Sequence, residues 1–395
     1  MALRATKRGA ERTDLSGSRD LLVCGASFAG LMVAREFAGS GANVLVIDRY
    51  EIGERQTSAC AVPTDWLLNL GLGDAEKQRF DSLLVHSSYG TAEIRIPWQF
   101  STFDYPEVCR ILWEGCDAEF ETAKVNGRSE LPGEDDEPGS IAVDTDRGRI
   151  SSPLVVDALG WKRVLADGSL FQPPEGPLSR GLEVHPAGGR KDLEVWIDRR
   201  YVPAGYGWSF PAGDEVRVGV GSFDPRFNVR PTTDLLAEDL RVGKSAYQGN
   251  YIPHQLRTAT EGGVFFAGDS AGHCLPLTAE GIRPALYFGA ALGRELRDVW
   301  DGRQTREQAL ENYSNFNERH RRKFDWLLNT QKIVPKIPPR LVRPIMKFVG
   351  LRPVARWSFN KYLDIAPPEF AAVIERQRRK SPARERVSVG ATAEG

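Results

Sequence analysis

Residues 21–48 read LLVCGASFAGLMVAREFAGSGANVLVID, and the fold follows from how this stretch is read. Leu21–Leu22–Val23–Cys24 opens it and Val44–Leu45–Val46–Ile47 closes it. Short unbroken apolar runs of this kind are strands covered on both faces, as in a parallel sheet. Between them, Ser27 to Ala38 carries apolar residues at helical spacing, and Gly39 and Gly41 stop the helix. Strand, helix and strand make one βαβ unit.

The turn after the first strand is Gly25–Ala26–Ser27–Phe28–Ala29–Gly30, a G-x-G-x-x-G pattern with Ser27 at the central glycine. Gly25 allows the tight turn and Gly30 allows close helix–strand packing, while the start of the helix offers unpaired N–H groups to a pyrophosphate. Asp48 ends the second strand about 20 residues on, where a carboxylate accepts ribose hydroxyls. The glycines alone are a weak signal, but strand, glycines, helix, strand and acid in register predict a dinucleotide site. The alternative is a tight βα turn in an α/β protein that binds nothing there.

At 395 residues the chain exceeds one ordinary core, so two domains are expected. A formal net charge of −1 argues against a nucleic-acid binder held by a global field. No apolar run approaches the roughly 20 residues that cross a bilayer, and the N-terminus lacks the apolar stretch of a secretory signal. Cys24, Cys60, Cys109, Cys116 and Cys274 are odd in number and lack metal-ligand spacing, so they read as reduced thiols of a cytoplasmic protein. The histidines are equally dispersed, and no metal site is expected.

Along the chain, residues 1–19 are expected as a disordered leader. Residues 20–81, 104–165 and 255–300 form a discontinuous nucleotide-binding domain, because buried-type strands at Leu154–Val156 and Gly263–Ala267 bring the chain back to the first sheet. Residues 82–103 and 166–254 are strand-rich and read as a second, sheet-based domain, with strands at Leu83–Ser87 and Ala92–Pro97 around Gly90. A helix is expected from Pro106 to Glu119, and a long turn or insertion over 127–140. Residues 301–375 are helical, with amphipathic spacing from Arg306 to Thr330, and 376–395 form an unfolded basic tail. The predicted class is α/β: a Rossmann-like domain with a parallel sheet, a mainly antiparallel β-sheet substrate domain and a C-terminal helical region.

Two further blocks carry chemistry. One is Gly268–Asp269–Ser270–Ala271–Gly272–His273–Cys274–Leu275–Pro276, continuing to Ala279–Glu280–Gly281–Ile282. The other is Tyr206–Gly207–Trp208–Ser209–Phe210–Pro211, ahead of Gly219–Val220–Gly221. In this order the three blocks resemble the FAD-dependent proteins built like para-hydroxybenzoate hydroxylase, and among them the geranylgeranyl reductase family, over residues 20–300. The resemblance implies an FAD site from Gly25, Ser27, Phe28, Ala29, Gly30, Asp48, Arg49, Cys60 and Ala61, with Asp157, Gly268, Pro276, Gly281 and Ile282. It places Asp269 on the ribityl chain, Arg110 on the FAD and the backbone of Val125 at the adenine. A carboxylate on a strand-to-helix turn suits ribityl hydroxyls, and a helix N-terminus favours negative charge on reduced flavin.

Tyr206, Trp208 and Phe210 resemble the family's lining of a lipid cavity over the flavin; without the family they read as ordinary sheet core. Cys60 is similar, more loosely, to a cysteine of archaeal reductases, and its alternative is a small buried side chain. The chain departs from the family at Ser27, at Ala279 and at Pro284. It departs again at Asp157–Ala158–Leu159–Gly160, where hydroxylases keep a DG motif that handles NADPH.

What the resemblance implies is an FAD-dependent oxidoreductase that reduces C=C bonds of an isoprenoid or similarly apolar substrate by hydride transfer from reduced flavin. Cys60, Tyr206 and His273 are its candidate proton donors, and NAD(P)H or a ferredoxin-like protein its electron source. The alternatives are an FAD-dependent monooxygenase or halogenase acting on an aromatic or polyketide substrate, against which Gly272 and Glu280 weigh, and a binding protein without redox chemistry. Residues 332–357 hold seven basic residues among apolar ones with no acid, as in segments that dock on anionic membranes. The apolar ones could equally pack on the protein's own core.

Overall fold

A computed structural model describes residues 13–129, 139–167, 177–243 and 245–372. The chain enters as β1 (Gly17–Ser18) and the expected unit β2 (Leu21–Cys24), α1 (Phe28–Glu36), β3 (Val44–Asp48). A short β4 (Ala61–Pro63) and α2 (Thr64–Asn69) lead to a long hairpin, β5 (Glu76–Ser87) and β6 (Gly90–Phe103). There follow α3 (Tyr105–Glu114), β7 (Glu119–Thr122), β8 (Val125–Arg128), β9 (Ile141–Thr145), β10 (Gly148–Ser152) and β11 (Leu154–Asp157). Next come β12 (Leu178–Val184), β13 (Glu194–Trp196), β14 (Gly205–Ala212), β15 (Glu215–Ser222), α4 (Arg230–Asp239) and β16 (Tyr247–Pro253). Then β17 (Thr260–Glu261) and β18 (Val264–Phe266) precede α5 (Ile282–Trp300), α6 (Arg306–Arg319), α7 (Arg321–Ile333), α8 (Pro339–Val349) and α9 (Arg352–Leu363).

The first sheet runs β17-β18-β11-β2-β3-β7, parallel except for β17. Its central strands β18, β11, β2 and β3 are buried on both faces. Leu21, Val23, Val44, Val46, Val156 and Phe265 pack under α1 and α5, while Leu22, Cys24, Leu45, Ile47, Val155 and Phe266 face the small sheet β1-β10-β9-β8. Each such wholly buried aliphatic side chain contributes about 1.5–3 kcal/mol. Helix α5 lies directly on α1 because Gly289 and Gly293 have no side chain. A Cβ at Gly289 would stand 2.7 Å from Ala29 O, and one at Gly293 2.7 Å from Glu36 Cγ.

The excursion from β12 to β16 builds a second sheet, order β16-β12-β15-β14-β13-β5-β6-β4, mainly antiparallel. One face carries Val184, Val218 and Val220 against α4. The other, one residue out of step along each strand, carries Tyr206, Trp208 and Phe210.

Four sequence expectations need correction. Residues 13–19, assigned to the leader, are ordered: Gly17 and Ser18 pair with Ile150 and Ser151, and Leu15 is buried. The β5–β6 hairpin is longer than its apolar patterning suggested. Its outer ends alternate charged and polar residues toward solvent, and cross-strand pairing rather than hydrophobicity extends it. Helix α3 ends at Glu114 instead of Glu119, followed by a tight turn at Gly115 and Cys116. The amphipathic stretch from Arg306 is two helices that meet at His320, whose ring is drawn among Tyr287, Phe288 and Phe316. The first part of the leader, 130–138 of the expected insertion, 168–176 and the tail from 376 lie outside the described residues.

Candidate active site

The fingerprint turn is built by contact. Gly25 sits at φ +117°, and a Cβ there would collide with the Ala158 carbonyl; a Cβ at Gly30 would collide with Gly25 O. Both glycines are therefore required by the close approach of β2, α1 and the loop after β11. Ser27 is the N-cap of α1 but its side chain makes no capping bond; its hydroxyl stands 3.3 Å from that of Tyr105. The first turn of α1 thus keeps N–H groups unclaimed by a side chain. Phe28 packs edge-on against Phe103 and Tyr105. Asp48 accepts from Ala26 N at 2.9 Å and Tyr50 N at 3.0 Å, so its carboxylate clamps the turn it was expected to face. Burial pushes this carboxyl up, and the two amide bonds and the Arg49 charge hold it down. The Arg49 guanidinium lies over the Tyr50 ring.

The second block meets the first at Gly268, where a Cβ would stand 3.2 Å from Ala29 Cβ. The Asp269 carboxylate has no hydrogen-bond donor among the described residues. It is half-buried, burial raises it to about 6, and the Arg257 charge opposes that rise. Gly281, which precedes α5 without a side-chain cap, lies beside it: a Cβ there would stand 3.6 Å from Asp269 Oδ1 and 3.5 Å from Cys274 Sγ. Pro276 and Ile282 are buried on either side of this turn. An unpaired carboxylate, two uncapped helix starts and glycines at the points of closest approach fit a flavin dinucleotide.

The third block is a matter of register. Trp208 pairs with Gly219, and Gly219 with Glu183; Tyr206 pairs with Gly221, and Gly221 with Gly181. The Trp208 ring lies flat on this glycine floor. A Cβ at Gly219 would collide with it, and one at Gly221 would approach it to 3.3 Å. Its Nε1–H donates to Glu183 Oε2 at 3.0 Å. Tyr206 turns toward the second block, donating its hydroxyl to Thr278 O at 2.6 Å. Phe210 pairs with Arg217, whose guanidinium donates to Ala59 O at 2.7 Å and Phe103 O at 3.0 Å and reaches Cys60 O. The face of the second sheet is thus stitched to the nucleotide domain at both ends. Cys60 itself is wholly buried in the left-handed region at φ +50°, and burial pushes its thiol up. Ala61 continues from it into β4.

Three expected residues, His273, Arg110 and Asp157, are placed otherwise, and Glu280 of the second block is also committed elsewhere. His273 is a core residue: it stacks on Phe288 with ring centroids 3.8 Å apart, its Nε2 meets Asn317 Oδ1 at 3.0 Å, and burial drives it down to about 3. A neutral imidazole so enclosed donates no proton to a cleft. Arg110 lies along α3, its guanidinium taken by Glu107 and Glu114, and makes no contact with the fingerprint. Asp157 is wholly buried, accepting from Leu159 N, Leu165 N and Ser270 Oγ at 3.0, 2.8 and 2.7 Å, so it braces the residue beside Asp269 instead of meeting a ligand. Glu280 binds Arg283 with both oxygens at 2.8 Å and also takes the Tyr362 hydroxyl; Arg283 then holds the Leu363 and Ala366 carbonyls. It anchors the C-terminal helices. Val125 starts β8 with its side chain buried, paired with Thr145.

Sequence reasoning missed Glu183, His185, Arg217 and Thr278. The signal for the first two was present: in L-E-V-H after Gly181, the polar residues fall at alternate positions facing the glycine side.

No family model matches the sequence. The chain is 23% identical over 343 residues to digeranylgeranylglycerophospholipid reductase 3 of Methanosphaera stadtmanae, covering 76% of this chain and 83% of that one. A geranylgeranyl bacteriochlorophyll reductase-like protein of Thermoplasma acidophilum superposes with a TM-score of 0.75 at 16% identity, over 92% of this chain and all of that one. The chain shares the fold of this reductase-like protein. The resemblance carried by the three sequence blocks is therefore borne out, at the level of fold and of curated relatives that are reductases. The halogenase PltM, solved with FAD, shares the fold with a TM-score of 0.59 at 12% identity over 93% of each chain.

Proposed function

We propose that the chain is an FAD-dependent reductase that saturates C=C bonds of an isoprenoid or comparably apolar substrate. The observation that carries this reading is the Trp208 face, flat on its glycine floor and joined through Tyr206 and Thr278 to the Asp269 turn. Gly25, Gly30 and the start of α1 would hold the pyrophosphate, and Asp269 the ribityl hydroxyls. When bound, FAD supplies the hydride. The chain's own residues exclude water, with Trp208 and Phe210 as walls, and keep a proton at the Tyr206 hydroxyl, held protonated by burial; Cys60, as enclosed as His273, is left out of that role. Anaerobic photoreduction, then mass analysis of geranylgeranyl diphosphate incubated with the protein, tests it. A product heavier by two hydrogens supports the reading, and a product that gains oxygen or halogen under air supports the monooxygenase or halogenase alternative.

Of the two electron donors, a ferredoxin-like protein is favoured, because Asp157 is committed to the protein's own backbone and leaves the hydroxylases' NADPH-handling motif without a free carboxylate. Rapid anaerobic bleaching of the flavin by NADPH would reverse that preference.

Residues 332–357 belong to the same reading as a membrane-docking surface. Val342, Met346, Val349 and Ala355 pack inward, Met346, Val349 and Ala355 in the cluster with Val85 and Ile94, whereas Ile333, Leu341, Phe348, Leu351 and Trp357 are 44–61% exposed. The seven basic residues of the segment are exposed among them. At about 1 kcal/mol per basic residue near an anionic leaflet, half of them suffice for measurable adhesion. Among the described residues no helix is long and apolar enough to cross a membrane. Salt-sensitive co-sedimentation with anionic vesicles, lost on R343E/K347E, supports docking; equal, negligible binding to anionic and neutral vesicles refutes it.

A further inference from the structure

The turn that joins the second block to α5 is strained. Leu277 and Ala279 sit at φ +71° and +52°, in the left-handed region that side chains disfavour. Such conformations persist where the surroundings over-determine them, and they gather at functional sites. Here side chains from three separate elements hold the turn. Gln331 of α7 accepts from Leu277 N at 2.7 Å, Tyr206 of β14 donates to Thr278 O at 2.6 Å, and the Tyr362 hydroxyl of α9 stands 3.1 Å from Thr278 Oγ1. The turn ends at Gly281, beside the Asp269 carboxylate.

The directions of these bonds follow from the hydrogens available. Tyr362 has a single hydroxyl hydrogen, which goes to Glu280, a carboxylate already paired through both oxygens with Arg283. The Tyr362 oxygen therefore accepts from the Thr278 hydroxyl. Thr278 is thus gripped at both polar ends, its carbonyl by Tyr206 and its hydroxyl by Tyr362. It is itself exposed, so these bonds rather than packing fix its place. Anchoring α9 accounts for the bond from Tyr362 to Glu280 but not for the one to Thr278, because Arg283 already secures the end of that helix through the Leu363 and Ala366 carbonyls.

We propose that Tyr362 is a positioning residue of the active site, an inference that rests on the reductase reading. It fixes the Thr278 turn and, through the Thr278 carbonyl, the direction of the Tyr206 hydroxyl at which that reading keeps the proton. A residue on the last helix thereby sets the geometry of the cleft wall.

The test uses the full chain loaded with FAD. Y362F keeps the ring beside Arg283 and loses only the hydroxyl, while T278V keeps the carbonyl that Tyr206 uses and loses its own hydroxyl. In protein labelled with carbon-13 at tyrosine Cζ, the Tyr206 resonance, identified by its absence in Y206F, is expected to shift in both variants, although Tyr206 is unchanged in each. With geranylgeranyl diphosphate after anaerobic photoreduction, the single-turnover rate at saturating substrate is expected to fall about 10-fold in each, within the ~10²-fold that a misplacement of about 1 Å can cost, at unchanged flavin content. The double variant is expected to be no slower than Y362F alone, because the two hydroxyls make one bond. An unmoved Tyr206 resonance, an unchanged rate, or losses that multiply in the double variant each overturn the proposal. Should Y362F not fold, T278V, which leaves Tyr362 its bond to Glu280, decides by the same resonance and rate. If the wild type reduces no prenylated alkene, the functional reading fails by itself, and the resonance, recorded without substrate, still decides whether Tyr362 orients Tyr206.

Discussion

The two walls of the cleft are built by different means. The nucleotide wall comes from local pattern: Gly25, Gly30, Asp48, Gly268 and Asp269 lie at the ends of buried strands and on the tight turns after them, and each is marked by its immediate sequence although Gly25 meets Ala158 and Gly268 meets Ala29. The opposite wall comes from register across β12, β15 and β14, where Glu183, Gly219 and Trp208 are brought into one row from three distant segments. A wall of the first kind tolerates no change at its tightest contact points, because backbone stands behind Gly25 and Gly30. A wall of the second kind is graded: one glycine faces a ring, the next faces ordinary contact distance. Mutations on the two walls should therefore separate cofactor binding from turnover.

The largest effect is expected from Asp269→Ala. If its carboxylate accepts two ribityl hydroxyls at about 1.5 kcal/mol each, the loss is about 3 kcal/mol, or ~10²-fold in Kd for FAD. Equilibrium dialysis of the apoprotein measures it, and full occupancy in the variant would remove Asp269 from the site. On the other wall, Trp208→Ala should leave FAD binding unchanged and lower kcat/KM for the prenyl substrate by roughly 10–100-fold, about the worth of a buried aromatic contact. Joint loss of flavin and folding would return Trp208 to the ordinary core.

The pH dependence of the nucleotide wall follows from the same carboxyl. Asp269 is raised to about 6 in the folded apoprotein. A raised acid stabilises the fold at low pH, and that contribution is lost as pH climbs from its unfolded value near 4 through 6. FAD needs the ionised form, so its affinity should weaken below pH 6, by at most tenfold per pH unit. In Asp269→Asn this dependence should vanish; an unchanged slope would assign it elsewhere. His273 carries the opposite sign. Lowered to about 3, it contributes stability that is whole above pH 6.5 and declines as pH falls toward 3.

Much of this was legible in the residues alone. The parallel sheet, its discontinuity and the fingerprint were, because buried strands read as unbroken apolar runs and close approaches demand glycine. The placement of His273 was not, since nothing local says whether the residue after Gly272 turns to the cleft or to α6. Asp157 and Arg110 illustrate the same limit: a polar residue at a family position can be consumed by neighbours, here Ser270 and Glu107, that only the fold supplies. The role of Glu280 was equally hidden, because its partner Tyr362 is 82 residues away.

The smallest expected effect is the sharpest test of the graded wall. Gly181 lies on the same floor as Gly219, yet a Cβ there would meet Ile252 Cδ1 at 3.4 Å and Trp208 Cη2 at 3.7 Å, both ordinary contacts. Gly181 has no left-handed backbone, so Gly181→Ala should stabilise the protein by about 0.4–1 kcal/mol through the unfolded chain. The added methyl nonetheless sits under the edge of the Trp208 ring and narrows the space above it. KM for a methyl-branched prenyl substrate should rise a few-fold, while an unbranched alkene of equal length is barely affected, since one methyl in an apolar pocket is worth about 1–3 kcal/mol of discrimination at most. Gly219→Ala, one row away, should displace the ring and abolish turnover of both with FAD still bound. Equal behaviour of the two variants, measured by steady-state kinetics and thermal melts, would mean that the ring does not rest on this floor and that the second wall lies elsewhere.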